Sequence, residues 1–582
     1  LEQAFPAENQ GYTLQLSQPS RLLFMPGPGS SLMTASLTVL LMLMPAVVLL
    51  VACLNLVDLL LARGQTRRQE MAIRLSLGGR RGRLTRQLLS EGLILALAGA
   101  AVGLVLSRWA TGAVLASIRP VIPIDVSLPA FDLDWRVFAG TVGFSIVATL
   151  IFGAWPAWAI TGRAVGSDLK RQTGEDGRRR IGSVRIGNAL VIGQVALSIL
   201  LLASGGLFLM SALSAATANP GFELDGRLLV DVDPGLAGYT EARGRQAHQA
   251  VVERLRAVPG IEAVSITSRV PFDGGGDSRF VIPAGAVDAT SSAVDAVFTA
   301  VGSDFARSLG LSMLTGRDFS DAELGPGSHE PVAIVDDALA QQLWPGQSAL
   351  GRLIQFRDEE TSERSRPMRV VGTLPTLPHS LGNEIPFPHV YVPLGQHYES
   401  AMTLQVHIAD KNSEQAMLGT VARVIRAFDE RLPVLRLETW NAHLAASIEM
   451  WIYRAGARVF SAFAGIALLL AVVGVYGVKS YVVSRRTREF GIRIAAGAHP
   501  RALLWQVMHE GSRITAVGIV FGLLLALGAG RLLQGLLHGV DAVEPVVLIA
   551  APIVLFAASL LAAFFPALRA TRVNPTVALR AE

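Results

Sequence analysis

The chain has 582 residues, of which 51% are hydrophobic and only 17% are charged. Soluble proteins average about 25% charged residues, so this composition argues against an ordinary soluble enzyme. The formal net charge is +5, and a single cysteine, Cys53, excludes a disulfide framework and cysteine-rich zinc sites.

Seven apolar stretches predict membrane spans. Each approaches or exceeds the length of about 20 residues that an α-helix needs to cross a bilayer. The stretches are 36–62, 88–107, 137–160, 188–212, 459–483, 514–536 and 546–568.

The arginines predict how these spans are oriented. The loops 63–86, 163–185 and 485–513 hold eight, seven and six basic residues, whereas 108–136 holds three and 537–545 holds none. Because basic loops stay on the cytoplasmic side of a membrane, we expect the three arginine-rich loops in the cytoplasm. Residues 1–35 and the long segment 213–455 are then outside.

The segment 213–455 predicts a separate α+β domain. It holds 20 basic and 30 acidic residues, a net charge of −10, whereas the rest of the chain has a net charge of +15. The basic residues therefore belong to loops that flank the membrane, which argues against a nucleic-acid partner. Within the segment, strand-like runs such as IEAVSIT and PVAIVDD alternate with helical patterns at 241–257 and 413–428. The punctuation by glycine and proline suggests two subdomains.

The chain contains an internal repeat. Residues 67–92 align without a gap to residues 486–511, at an offset of 419, with nine identities in 26 positions: Arg67/Arg486, Glu70/Glu489, Ile73/Ile492, Arg74/Arg493, Gly78/Gly497, Leu84/Leu503, Gln87/Gln506, Glu91/Glu510 and Gly92/Gly511. The same offset pairs Gly99 and Gly103 with Gly518 and Gly522, which form small-residue faces suited to close helix packing. We therefore predict a duplicated three-span unit with the soluble domain inserted between the copies.

Each copy has a loop with helical spacing. Glu70 and Arg74 stand four residues apart, as do Glu489 and Arg493, so each pair can form an ion pair along a helix. Ile73 and Ile492 place an apolar residue beside these pairs, and Gly78 and Gly497 suit a helix C-cap. The pattern predicts a short amphipathic helix at the cytoplasmic surface, which either rests on lipid headgroups or docks a partner protein.

These motifs resemble a known family. The spacing R-x-x-E-x-x-I-R-x-x-x-G and the terminal run FFPALRATRVNPTVALR resemble the FtsX/MacB-type permease domain of ABC transporters. The runs PVAIVDDALAQQLWPGQSALGRLIQF and HVYVPLGQ are similar to the MacB-like periplasmic core domain. Two such permease domains in one chain resemble the acidobacterial duplicated permeases.

The resemblance implies a multi-pass α-helical protein of the bacterial inner membrane, with about seven spans and an inserted α+β extracytoplasmic domain of the MacB periplasmic core type. We expect the first span and most of the first soluble domain of the family to be missing. The expected domains are a remnant of that soluble domain at 1–35, a first permease domain at 36–172, a linker with the fourth span at 173–212, the core domain at 213–455 and a second permease domain at 456–582.

No ATP-hydrolysing motif is found in the sequence. A Walker A loop needs a Gly-Lys pair, and none of the three lysines, Lys170, Lys411 and Lys479, follows a glycine. We therefore expect no cofactor and no catalytic activity in this chain, with ATP bound by a partner subunit. The resemblance implies that a separate cytoplasmic ABC ATPase docks on the two loop helices, at Arg67–Gly78 and Arg486–Gly497. The lipid bilayer, a periplasmic adaptor and an outer-membrane channel are the other candidate partners.

Other candidate sites are weaker. Asn55 and Asp58 lie within the first span, where acids are functional candidates, but their counterparts at the 419 offset are Gly474 and Gly477, which equally indicates close packing. The histidines His379, His389, His397 and His407 lack metal-ligand spacing, so we expect no metal site. The charged run at 357–366 indicates a solvated loop.

Two functions remain open. One is an export permease, in which ATP-driven closure at the cytoplasmic side moves the outer domains. The other is an FtsX-type signal transmitter or sensor that uses the same movement to control an envelope partner. The spans offer few polar groups to line a channel, which favours mechanical transmission. The substrate is not encoded in any motif of the sequence.

Overall fold

The structure is a computed structural model that describes residues 42–58, 81–118, 135–161, 177–218, 220–273, 277–286, 293–325, 331–357, 364–378 and 387–571. The chain divides into two compact units. The soluble unit contains Ser214–Ile452, and the membrane unit contains Leu16–Leu213 together with Tyr453–Glu582.

Four helices precede the soluble unit: α1 (Met42–Asp58), α2 (Arg81–Ile118), α3 (Trp135–Thr161) and α4 (Gly177–Ala216). The last three contain the second, third and fourth predicted spans, and the first covers residues 42–58 of the predicted 36–62. In the part of the chain that the structure describes, five helices are long and apolar enough to cross a membrane, and the first and third of these four are among the shorter apolar helices, so the count of seven spans stays a prediction. Helix α2 extends beyond the predicted span 88–107 at both ends.

The soluble unit alternates strands and helices as the sequence predicts. Its strands are β1 (Arg227–Val232), β2 (Ile261–Thr267), β3 (Ser278–Pro283), β4 (Val294–Val301), β5 (Thr315–Gly316), β6 (Val332–Asp336), β7 (Leu353–Arg357), β8 (Met368–Leu374), β9 (His389–Pro393), β10 (Met402–Ile408) and β11 (Val434–Thr439). Its helices are α5 (Glu241–Arg256), α6 (Phe305–Ser308), α7 (Asp321–Leu324), α8 (Asp337–Leu343), α9 (Glu414–Phe428) and α10 (Trp440–Ala446).

The first lobe of this unit is a βαββαβ arrangement. Its strands run in the order β11-β1-β10-β2, and neighbouring strands are antiparallel. Val251 and Leu255 of α5 and Val421 and Ile425 of α9 pack into one apolar core with the sheet. The chain leaves this lobe after β2 and returns at β10.

The second lobe is formed by the segment between β2 and β10. Its strands follow the order β4-β3-β7-β8-β6-β9, and a parallel pairing of β9 with β4 closes them into a ring. Phe298, Val335 and Val390 lie in its core, together with Leu339 of α8. The two subdomains suggested by the sequence are therefore two separate cores on one continuous sheet.

Four helices follow the soluble unit: α11 (Ile448–Arg485), α12 (Thr487–Ala495), α13 (Pro500–Leu533) and α14 (Pro545–Thr571). Proline is the first residue of α13 and α14, a position where its fixed backbone angle suits a helix start. Helices α4, α11 and α14 share a core that includes Val195, Ile199, Val475 and Leu555.

Candidate functional site

The short helix α12 forms the predicted loop helix of the second copy. It lies between α11 and α13, and it ends in a glycine cap. Gly497 has a φ of +90°, its amide donates to the carbonyl of Ile494 at 3.0 Å, and the amide of Ala498 donates to the carbonyl of Arg493 at 2.9 Å. This is the Schellman arrangement, in which glycine is favoured because the left-handed backbone strains other residues.

One face of α12 packs against the membrane unit. Phe490 is 1% exposed and lies in a core with Val483 of α11, Leu503 and Val507 of α13, and Ala567 of α14. Ile494 packs against the same core. The helix is therefore packed against the ends of three long helices.

The predicted ion pair lies on a flanking face of α12, one residue along the helix from the packed side chains. Arg493 and Glu489 approach to 2.6 Å, and both side chains are 44% exposed. Arg493 also donates to Oε1 of Gln506 at 2.9 Å, and Arg486 donates to both carboxylate oxygens of Glu510 at 3.1 and 3.2 Å. These bonds tie α12 and its leading residue to the first turns of α13.

Nine residues are identical in the two copies, and in the second copy eight of the nine have a structural role within the chain. The residues Arg486, Glu489, Arg493, Gln506 and Glu510 bond to one another, Leu503 is in the core, and Gly497 caps the helix. A Cβ at Gly511 would stand 3.2 Å from Cε of Lys479, so glycine allows that approach. Ile492 differs from these residues because 50% of its side chain is exposed.

The first copy is only partly described. Arg67, Glu70, Ile73, Arg74 and Gly78 lie outside the described residues. Gly92 is described, and a Cβ there would meet Thr149 of α3 at 3.5 Å, so this position joins α2 to α3. The docking role of both loop helices stays a prediction.

The two glycine pairs have different surroundings. A Cβ at Gly518 would lie 2.7 Å from Cβ of Val195, and one at Gly522 would lie 2.8 Å from the carbonyl oxygen of Ala196, so both glycines allow α13 to approach α4. At Gly99 and Gly103, no described atom beyond the helix's own backbone lies within 4 Å of a Cβ position. Among the described residues no counterpart of α4 precedes α1, so the packing role of Gly99 and Gly103 stays a prediction.

One exposed aromatic residue near α12 is not identical in the two copies of the repeat. Trp505 on α13 is 70% exposed, and its ring stacks on that of His509 with centroids 6.1 Å apart. At the 419 offset its counterpart is Arg86, so comparison of the two copies gives no indication of it. An exposed tryptophan is among the residues enriched at protein interfaces.

The histidines of the soluble unit lie apart from one another. His389, His397 and His407 face three different carboxylates, those of Asp336, Glu399 and Glu262. His379 lies outside the described residues. Among the described residues no group of three or more His, Cys, Asp and Glu side chains is arranged to hold a metal ion.

Family models match most of the chain. The FtsX-like permease C-terminal model matches twice, at residues 42–165 and 461–575, and the MacB-like periplasmic core domain model matches residues 189–424. The two FtsX matches correspond to the two copies of the repeat.

Individual relatives are similar to parts of the chain. The macrolide export ATP-binding/permease protein MacB of Pasteurella multocida is 26% identical over 46% of this chain, and the chain spans 40% of that protein's length. The uncharacterized ABC transporter permease YknZ of Bacillus subtilis is 23% identical over 50% of this chain and 70% of its own length. The crystal structure of the periplasmic region of MacB from Actinobacillus actinomycetemcomitans aligns with 39% of this chain and 94% of its own, at 12% identity and a TM-score of 0.27.

The helices, the repeat and the inserted lobes define a multi-pass membrane protein with a duplicated helical unit and an extracytoplasmic α+β domain. The predicted fold class is confirmed in this respect. The chain is an FtsX/MacB-like permease, the membrane subunit type of ABC transporters.

Proposed function

We propose that this chain transmits ATP-driven motion from a separate cytoplasmic ATPase to its extracytoplasmic domain, and that the motion serves export across the envelope. The export assignment rests on the relatives named for macrolide export. That the ATPase is a separate chain is part of the proposal; within the printed residues no lysine follows a glycine, as a Walker A loop requires.

The observation that supports docking most directly is the exposure of Ile492. The other identical residues of the repeat have internal contacts that explain them, whereas half of the Ile492 side chain remains exposed on a fixed, amphipathic helix. A contact with another protein accounts for an apolar residue at the same place in both copies. We place the ATPase against the outer face of α12, at Ile492, Glu489 and Arg493, and against the matching face of the first copy.

Transmission follows from how α12 is held. Because Phe490 and the bonds of Arg486 and Arg493 fix α12 to α11, α13 and α14, closure of two ATPase subunits would move these helices with it. Helix α11 begins at Ile448, inside the soluble unit, and α4 continues to Ala216. Both connections to the soluble unit are thus helical, which suits them to carry motion.

Substitution of the exposed isoleucine tests the docking proposal. Ile492→Asp should leave folding and membrane insertion intact, since the side chain is already half exposed. It should weaken association with the ATPase, because a desolvated contact tolerates an unpaired charge poorly, typically at a cost of about 2–5 kcal/mol. Association is measured by co-purification of an ABC ATPase that mass spectrometry identifies, and the purified chain alone should give no ATP turnover.

A matched control and a second pair of variants complete the test. Leu435→Asp makes the same change at an exposed residue of the soluble unit and should not affect association. Glu489→Lys and Glu70→Lys should each weaken association, and the double variant should lose it more completely. On an undocked helix the Glu489–Arg493 pair is worth only about 0.3–0.5 kcal/mol. Wild-type recovery of the ATPase with both glutamates reversed would refute docking in favour of a lipid-surface helix.

A further inference from the structure

Two buried amides in the membrane unit bind one backbone carbonyl. Nδ2 of Asn55 on α1 donates to the carbonyl oxygen of Leu470 on α11 at 2.9 Å, and Nε2 of Gln194 on α4 donates to the same oxygen at 2.6 Å. Asn55 is 6% exposed and Gln194 is fully buried. Three helices are therefore joined at one point by hydrogen bonds within an apolar bundle.

The glycine one turn after Leu470 makes room for these amides. A Cβ at Gly474 would stand 2.5 Å from Oδ1 of Asn55 and only 2.2 Å from Oε1 of Gln194, distances that real Cβ atoms do not adopt. Any larger residue at this position would have to displace both amides. At Gly477, about one turn further along α11, the described residues place no atom beyond the helix's own backbone within 4 Å of the Cβ position.

The contact between Asn55 and Gly474 joins equivalent positions of the internal repeat. At the offset of 419, position 55 of the first copy is equivalent to position 474 of the second, so the contact joins two equivalent positions. In a two-fold arrangement, equivalent positions meet only close to the axis that relates the copies. Met44 and Val47 of α1 also share a core with Phe460 and Ala467 of α11. Helices α1 and α11 thus pair as the corresponding helices of two subunits would.

We infer that the two copies of the repeat in one chain pair with each other through α1 and α11, as two separate permease subunits would. The contact of Asn55 with Gly474, called here the interlock, can form only between a first copy and a second copy. Two first copies would bring one asparagine against another with no gap to receive it. Two second copies would place one Gly474 against another, and no Asn55 amide would then fill the space or bind the carbonyl of Leu470. The partner of this surface is the other half of the same chain, and a second chain is not required.

Disulfide trapping distinguishes pairing within one chain from pairing between chains. In a Cys53→Ser/Gln194→Ala background, which removes the amide that a larger residue at 474 would meet, a chain with both Asn55→Cys and Gly474→Cys should form a disulfide on oxidation without any dimer on a non-reducing gel. Two differently tagged chains, one with Asn55→Cys and the other with Gly474→Cys, should form no linked dimer when co-expressed. A linked dimer of the two tagged chains would overturn the inference, and so would the absence of a disulfide in both experiments.

A second measurement avoids new cysteines. Gly474→Ala should lower the melting temperature of the full chain in detergent by about 2–5 °C, the shift that a modest overpacking cost produces. Gly477→Ala, the matched control on the same helix, should leave it unchanged. If Gly474→Ala acts by displacing the amides, it should cost nothing more in an Asn55→Ala/Gln194→Ala background. If Gly474→Ala lowered the melting temperature equally in both backgrounds, the proposed contact of Gly474 with the two amides would be refuted.

Discussion

At the scale of single residues, His248 makes the stability of the soluble unit depend on pH. It is 1% exposed on α5, and burial lowers its pKa from the usual 6.5 to about 4, although the charge of Asp233 partly opposes that shift. Arg245, also nearby, acts in the same direction as burial. The folded chain therefore keeps this imidazole neutral at neutral pH, whereas the unfolded chain binds a proton more readily.

We predict that acidification destabilises the soluble unit through this histidine. Between pH 6.5 and 4 the unfolded state holds the proton that the folded state lacks, so the free energy of unfolding falls with falling pH, by at most about 1.4 kcal/mol per pH unit. His248→Leu should reduce the difference in melting temperature between pH 7 and pH 5, as measured by calorimetry on the full chain. The same change at the exposed His499 should leave the difference as in the wild type. An unaltered difference in the His248 variant would show that other groups carry the acid sensitivity.

At the scale of helices, close packing of α13 on α4 depends on single glycines. A Cβ at Gly522 would stand 2.8 Å from the carbonyl oxygen and 3.0 Å from Cα of Ala196, and backbone atoms cannot move aside as the end of a side chain can. Small residues at such interfaces let helices in a membrane gain van der Waals contact that lipid does not replace.

Gly522→Ala should therefore separate these two helices. Overpacking of this kind typically costs about 1–3 kcal/mol, so we expect a lower melting temperature of the full chain in detergent. Gly528→Ala on the same helix is the matched control, since in the described part of the chain no atom beyond the helix's own backbone lies within 4 Å of its Cβ position, and alanine favours helix. Equal melting temperatures for the two variants would contradict the close approach.

The sequence predicts elements better than it predicts their contacts. Long apolar runs predict the membrane helices, and the residue spacing within each copy of the repeat predicts the loop helix and the Gly497 cap, because both are patterns of neighbouring residues. The role of Gln194 could not be derived in this way, because it depends on which helix lies opposite. The interlock of Asn55 with Gly474 combines both kinds of information: the repeat identifies the positions as equivalent, but only the structure brings them into contact.

At the scale of the whole molecule, the distribution of charge predicts on which side each part of the chain lies. The arginine-rich loop 485–513 includes α12, whereas the segment 213–455 is acidic. Since basic loops stay in the cytoplasm, the docking face of α12 and the soluble unit should be on opposite sides of the membrane. Motion at one would then have to cross the bilayer through the helices, as the proposed function requires.

Single-cysteine labelling in intact cells checks this orientation. In a Cys53→Ala background, Glu430→Cys should react with a membrane-impermeant maleimide once the outer envelope is opened, because residue 430 is exposed in the soluble unit. Arg501→Cys, exposed at the start of α13, should react only after the inner membrane is made permeable. Both positions are exposed in the structure, so a difference between them reports the side of the membrane and not burial. Labelling of position 501 from outside would reverse the orientation, and an ATPase in the cytoplasm could then not reach Ile492.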